Sequence, residues 1–301
     1  MADFTPKPVG WDQYYDGRSQ VFFLLTDFHE IDLSSRIEPA MFIGNLVQQH
    51  SRGISPTGKF EFPVPTVCGR MERMVTWEDS WAVSFTHQLK DVIRYDNEAN
   101  GRWPQHDSAC KQLIDVVIPR LLGALESGGH SIKPVLIHGD LWENNVGIDK
   151  DTHNIITFDA GSTYAHNEME FGTWRCWWAT HFRDPMYMKL YQDHIEASEP
   201  KGEWDDRNRL YSIHPYLNDS AGHPGSISRR MSVLFPRDYN QLIINRHQVP
   251  TTISSICARN MVLCQPLRST TLNLMSRPRI IIRTLLWKTS RGRRYFMFCA
   301  T

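Results

Sequence analysis

The sequence predicts an α+β fold in which a mostly helical body carries a few short strands around one polar loop. Three observations predict it. Apolar residues recur at helical spacing in several long segments, and short β-prone runs cluster in the middle of the chain. The stretch that interrupts both patterns, His138-Gly139-Asp140-Leu141-Trp142-Glu143-Asn144-Asn145, is dense in polar side chains. At 301 residues, with 33 basic and 33 acidic side chains, the chain suits one or two globular units.

In chain order, Phe22-Phe23-Leu24-Leu25-Thr26-Asp27-Phe28-His29 reads as a buried strand running into a polar connection. Met41, Phe42, Leu46 and Val47 form an apolar stripe that predicts a helix over Ile37 to Gln49. Gly53-Ile54-Ser55-Pro56-Thr57-Gly58-Lys59 fits the first seven positions of a phosphate-binding loop. Phe60 then offers no hydroxyl, and Pro63 and Pro65 forbid the helix that must follow, so this is an ordinary loop. Phe85, Leu89 and Ile93 predict a helix over Trp81 to Tyr95, and Leu113, Ile114, Val117 and Leu121 another over Lys111 to Leu125, bent by Pro119. Pro134-Val135-Leu136-Ile137 is a short apolar run ending at His138. Val146-Gly147-Ile148 and Ile155-Ile156-Thr157-Phe158 flank a polar stretch and predict a hairpin. Trp174 to Tyr191 is an aromatic-rich helix or helix pair, broken at Asp184-Pro185.

The polar loop has the spacing H-x-D-x-x-x-x-N, and Asp159-Ala160-Gly161 follows fourteen positions after Asn145. That is the set of groups phosphoryl transfer needs: one carboxylate to orient and deprotonate an acceptor hydroxyl, and an amide oxygen with a second carboxylate to hold magnesium on the phosphates. Asn145 enters the first strand of the hairpin and Asp159 leaves the second, so antiparallel pairing brings these oxygen ligands together. The five-residue step from Asp140 selects Asn145 over Asn144. Any one of these residues alone would be read as a turn or a cap. His138 reads as a buried brace for the loop backbone; Glu168 and Glu170 either orient the loop after Asp159 or cap a helix starting near Glu168, and the cap is the simpler reading.

His138 to Trp142, Phe158-Asp159-Ala160 and Tyr164-Ala165-His166-Asn167-Glu168 resemble the fructosamine kinase and ketosamine 3-kinase family. Pro6 to Val9, Phe22 to His29, Ser55 to Phe60, Thr76-Trp77-Glu78-Asp79-Ser80-Trp81 and Leu125 to Gly129 extend the resemblance over about residues 5 to 235. It implies a protein-kinase-like fold, akin to aminoglycoside phosphotransferases, and ATP-dependent phosphorylation of the 3-hydroxyl of a fructosamine or ribulosamine, free or on glycated protein lysines. It further implies a part in deglycation, with ATP and Mg2+ as cofactors. Carried over, Asp140 is the catalytic base, Asn145 and Asp159 hold the metal, and backbone groups of Asp27, Phe28 and His29 form the hinge that meets adenine. Trp142, Trp77 and Trp81 are candidates for the substrate side, because indole faces pack on sugars and attract cations; Trp77 and Trp81, four apart, fit a core equally well.

The resemblance begins at Pro6, just before the hinge strand, so the small amino-terminal lobe is expected to be largely missing. A Gly-rich turn, strand lysine and helix glutamate would then be absent, and Lys7 and Lys59 lie in the wrong contexts to replace the lysine. The expected divisions are a remnant of the small lobe and hinge over 1–30, a kinase-like large lobe over 31–235 and a basic tail over 236–301.

The charge balance conceals that tail. From Pro236 onward Asp238 faces eleven basic residues, whereas the first 235 residues hold 22 basic and 32 acidic ones. No groove-reading motif or amphipathic stripe accompanies the charge, so neither nucleic acid nor membrane is expected as a partner, and the tail is expected to be poorly ordered. Six cysteines without paired metal spacing, no secretion signal and no run long enough to span a bilayer suit the cytoplasm. Two other functions share these residues: a catalytically silent binding module, and a kinase for another small hydroxyl acceptor such as an aminoglycoside or a choline-like alcohol.

Overall fold

A computed structural model describes residues 4–15, 20–69, 71–73, 76–233, 283–288 and 294–300. Strands β1 (Pro8–Tyr15), β2 (Gln20–Asp27) and the short β3 (Ile31–Asp32) lead into helix α1 (Pro39–Arg52). Glu38 caps α1 by accepting from the N–H groups of Ala40 and Met41, Pro39 suits the first turn, and the helix ends at Gly53. The expected phosphate-binding decoy after it is indeed a loop. A small hairpin, β4 (Thr66–Cys68) and β5 (Met71–Arg73), precedes α2 (Trp81–Asn100).

The next helical stretch differs from the single bent helix predicted. It runs as α3 (Pro104–Gln112), a π-helical turn over Leu113–Val117, α4 (Ile118–Leu121) and a 3-10 turn over Gly123–Glu126. Pro119 has no N–H to donate and its ring crowds the preceding turn, and the wider π turn before it absorbs both problems.

Strand β6 (Val135–Ile137) delivers the polar loop, and β7 (Val146–Asp149) and β8 (Ile155–Thr157) form the predicted antiparallel hairpin, with Val146 opposite Thr157. β9 (Thr163–Ala165) pairs with β6. The aromatic segment is less helical than expected: Asn167–Arg175 is 3-10, and α5 (Pro185–His194) starts only at the proline, capped by Asp184. Helix α6 (Trp204–Gly222) follows.

Two stretches of the carboxy-terminal region are strands, β10 (Arg283–Lys288) and β11 (Arg294–Ala300). They extend the amino-terminal pair into an antiparallel sheet of order β1-β2-β11-β10, with Tyr295 opposite Asp27. Leu285-Leu286-Trp287 and Tyr295-Phe296-Met297-Phe298 have the aromatic and aliphatic make-up strands favour. Most of the tail, 234–282, lies outside the described residues. β2 is also less buried than predicted, since Phe22 and Leu24 are exposed. No helix of the described residues is long and apolar enough to cross a membrane.

The core consists of two apolar clusters. One gathers Trp81, Phe85 and Leu89 of α2, Leu113, Val117 and Leu121, and Leu210 and Leu217 of α6. The other stacks Phe42, Phe171, Trp174, Phe182, Tyr187 and Tyr191. Ile137 belongs to the first and Leu141 to the second, both fully buried. The loop between them is thereby fastened at each end to a different part of the core.

Candidate active site

The loop backbone turns at Gly139, where φ is +78° and a Cβ would lie 2.3 Å from the Gly161 carbonyl oxygen. Only glycine tolerates both constraints. The buried Glu170 carboxylate accepts from the His138 N–H at 2.6 Å and the Gly139 N–H at 3.0 Å, clamping the two peptides before Asp140. Burial opposes its charge, but His50, His138 and these bonds hold its carboxyl below the ordinary range. His138 itself is a brace: its Nε2–H donates to the Phe158 carbonyl at 3.0 Å, and its Nδ1 accepts from the Asp140 N–H at 3.3 Å. That pair of bonds requires the neutral Nε2–H tautomer, in keeping with a pKa lowered by burial. The Trp174 indole N–H reaches the Leu141 carbonyl, and Glu143 accepts from the backbone N–H groups of Thr180, His181 and Phe182.

Asn145 closes the loop. It is buried, and its amide N–H donates to the carbonyl of Asp140 at 2.8 Å and to the Asp140 Oδ2 at 3.1 Å, whereas Asn144 is exposed. The Phe158 N–H bonds the Asn145 carbonyl at 3.0 Å, so the hairpin sets Asp159 beside Asn145. Asp159 adopts a left-handed φ of 57°. Burial, foremost, and the Asp159 charge raise the Asp140 carboxyl to about 6, against the opposing pull of Asn145 and Arg73. The donor set fits magnesium: Asn145 uses its N–H side on Asp140, which leaves its oxygen turned away from that bond, and Asp159 supplies an exposed carboxylate.

A cavity of about 330 Å³ opens beside Asp140. Its walls include Trp142, Trp177, Trp178, His214, Asp219 and His223, and among the described residues that line it there is no lysine or arginine. The Trp177 indole N–H donates to Ser228 Oγ at 3.1 Å, and Ser228 donates to Asp219 Oδ2 at 2.6 Å. Burial drives His214 down to about 3, so it adds no charge. A larger cavity of about 740 Å³ lies against α5 and α6 and contains none of these catalytic-loop residues.

Of the three tryptophans put forward for the substrate, only Trp142 lines this cavity. Trp81 is fully buried in the core, with its indole N–H on the Tyr211 hydroxyl at 2.8 Å, and has no surface to offer; Trp77 precedes α2, so the two do not share a helix face. Trp77 stacks on Tyr164 and does not reach the cavity. At the hinge, the Asp27 N–H is bonded to the Lys7 carbonyl and is not available to an adenine edge. His29 pairs with Asp149, and the three hinge residues line none of the cavities described. Sequence reasoning preferred a helix cap for Glu170 and passed over Trp177, Trp178 and Asp219, although the Trp177-Trp178 doublet was in plain view.

The chain spans a little over half the length of the curated relatives it matches. It is 26% identical over 215 residues to a chloroplastic protein-ribulosamine 3-kinase of Arabidopsis thaliana, covering 71% of this chain and 60% of that protein. It is 28% identical over 179 residues to ketosamine-3-kinase of Mus musculus, covering 56% and 51%. Its fold matches a crystal structure from Thermobifida fusca, of a protein described as a fructosamine-3-kinase, with a TM-score of 0.57 at 14% identity, over 80% of this chain and 96% of that one. The fold is thus protein-kinase-like, and the fructosamine kinase family model matches residues 2–231, most of the chain. On that match, and on the loop geometry it coincides with, the chain belongs to the fructosamine kinase family.

Proposed function

We propose that the chain is an ATP-dependent kinase for the 3-hydroxyl of a ketosamine, a fructosamine or ribulosamine carried free or on a glycated protein lysine, acting in deglycation in the cytoplasm. The observation that carries this is the position of Asp140, bonded to Asn145, at the edge of a cavity lined by aromatic and acidic side chains. Such a cavity suits an acceptor that is polyhydroxylated and bears an amine, since indole faces and carboxylates both attract an ammonium group.

Asp140 orients the acceptor hydroxyl and takes its proton; with its carboxyl raised to about 6, it is still ionised at neutral pH and basic enough to help. Asn145 and Asp159 would hold magnesium on the ATP phosphates, where the ion neutralises charge developing during transfer. Glu170 and His138 keep the loop from shifting, and backbone groups of the hinge connection would meet adenine. Trp142, Trp177 and Trp178 line the acceptor side and offer indole faces to it.

The test is phosphate transfer from ATP to a glycated lysine derivative by the wild type and Asp140→Asn. A fall of roughly 10²–10⁴-fold in turnover is expected on removing the base. A folded wild type without Asp140-dependent turnover would sink the proposal.

A further inference from the structure

The β4–β5 hairpin touches both sides of the site. Val67 and Cys68 pack on Gly161, where an added Cβ would meet the Val67 carbonyl oxygen and the Cys68 Cβ at 3.2 Å. The Cys68 carbonyl accepts from Asn218 of α6 at 3.0 Å, and Cys68 and Gly69 line the acceptor cavity. From β5, the Arg73 guanidinium reaches under the catalytic loop. It is 4% exposed, and its Nη1 donates to the Gly161 carbonyl at 2.8 Å. Gly161 is two residues from Asp159, and its carbonyl oxygen is the atom that forbids a side chain at Gly139. Arg73 Nη2, also buried, has no hydrogen-bond partner among the described residues. So costly a group, bonded to the Gly161 carbonyl and close enough to Asp140 to act on its charge, is hard to explain as core packing, because an apolar residue would fill the space without the desolvation cost.

We infer that Arg73 is a positioning residue for the metal loop: its bond to the Gly161 carbonyl, made from a hairpin anchored on α6, fixes the 159–161 turn against the catalytic loop and so sets where the Asp159 carboxylate stands. This rests on the assignment of Asp159 as a magnesium ligand. Partners one bond removed from a metal ligand change metal affinity by about 10–100-fold when lost. Arg73→Met keeps the stem and loses the bond, whereas Arg73→Lys keeps the charge and can restore one donor.

The experiment titrates magnesium against the binding of a fluorescent ATP analogue, with no acceptor and no turnover, beside thermal melts and affinity in chelator. Arg73→Met should need about tenfold more magnesium for half-maximal binding, with binding in chelator unchanged, and Arg73→Lys should recover part of the difference. Equal magnesium dependence in wild type and Arg73→Met overturns the inference alone. If Arg73→Met does not fold, Arg73→Lys decides: a magnesium requirement raised severalfold supports the inference, and an unchanged one overturns it. If the wild type binds the analogue with no dependence on magnesium, the metal assignment falls and this inference with it.

Discussion

Replacing Asp140 by Asn should stabilise the protein at neutral pH while removing the proposed base. Burial and the Asp159 charge raise this carboxyl from 3.8 to about 6. A carboxyl whose folded pKa lies above its unfolded value favours the fold fully below the unfolded pKa, and that contribution is lost as pH rises through the folded one. Above pH 6 the ionised Asp140 is therefore a net cost, which Asn does not carry. A shift of about two units corresponds to at most about 3 kcal/mol, and partial exposure with solvent screening reduces this to about 1–2 kcal/mol. For a domain of this size that is about 2–8 °C in Tm. The amide oxygen can still accept from Asn145, so the substitution leaves the loop bond in place. Thermal melts of both proteins in magnesium-free buffer should show the gap at pH 7.5, about half of it at pH 5 and about a fifth near pH 4. A variant less stable than wild type at pH 7.5, or a gap indifferent to pH, would refute the electrostatic account of Asp140.

Glu170→Gln turns one of two acceptor bonds to the loop into a meeting of N–H groups, at a cost of about 2–3 kcal/mol. A lower Tm and a large loss of kcat should appear together, and a variant with both unchanged would mean that the clamp does not hold the loop. Trp178→Ala removes a cavity wall and should raise KM for a ketosamine about tenfold with KM for ATP unchanged, measured by steady-state transfer assays. Equal effects on both constants would argue that Trp178 supports the fold and does not meet the acceptor.

What could be read from the sequence, and what could not, follows from the range of the interactions. Asp140, Asn145 and Asp159 are joined by a short loop and a tight hairpin, so spacing and strand period were enough to bring them together. The helices α1 and α2 announced themselves by apolar period. Glu170 lay hidden because its partners are 31 and 32 positions away, and a glutamate in a 3-10 segment looks like any cap until β6 and that segment are seen to meet. Arg73 is 88 positions from the carbonyl it holds, and Trp177, Trp178 and Asp219 share a cavity with Asp140 only because α6 folds back across it. The chemistry of this site is therefore local and its rigidity is not. Ile137 and Leu141 sit in separate apolar clusters, Glu170 and His138 tie the intervening turn to the 3-10 segment and to Phe158, and Arg73 holds the neighbouring turn at Gly161. A chain could keep every motif residue and still lose the geometry through any of these distant supports, which is why substitutions at Glu170 and Arg73 probe the site more sharply than its spacing does.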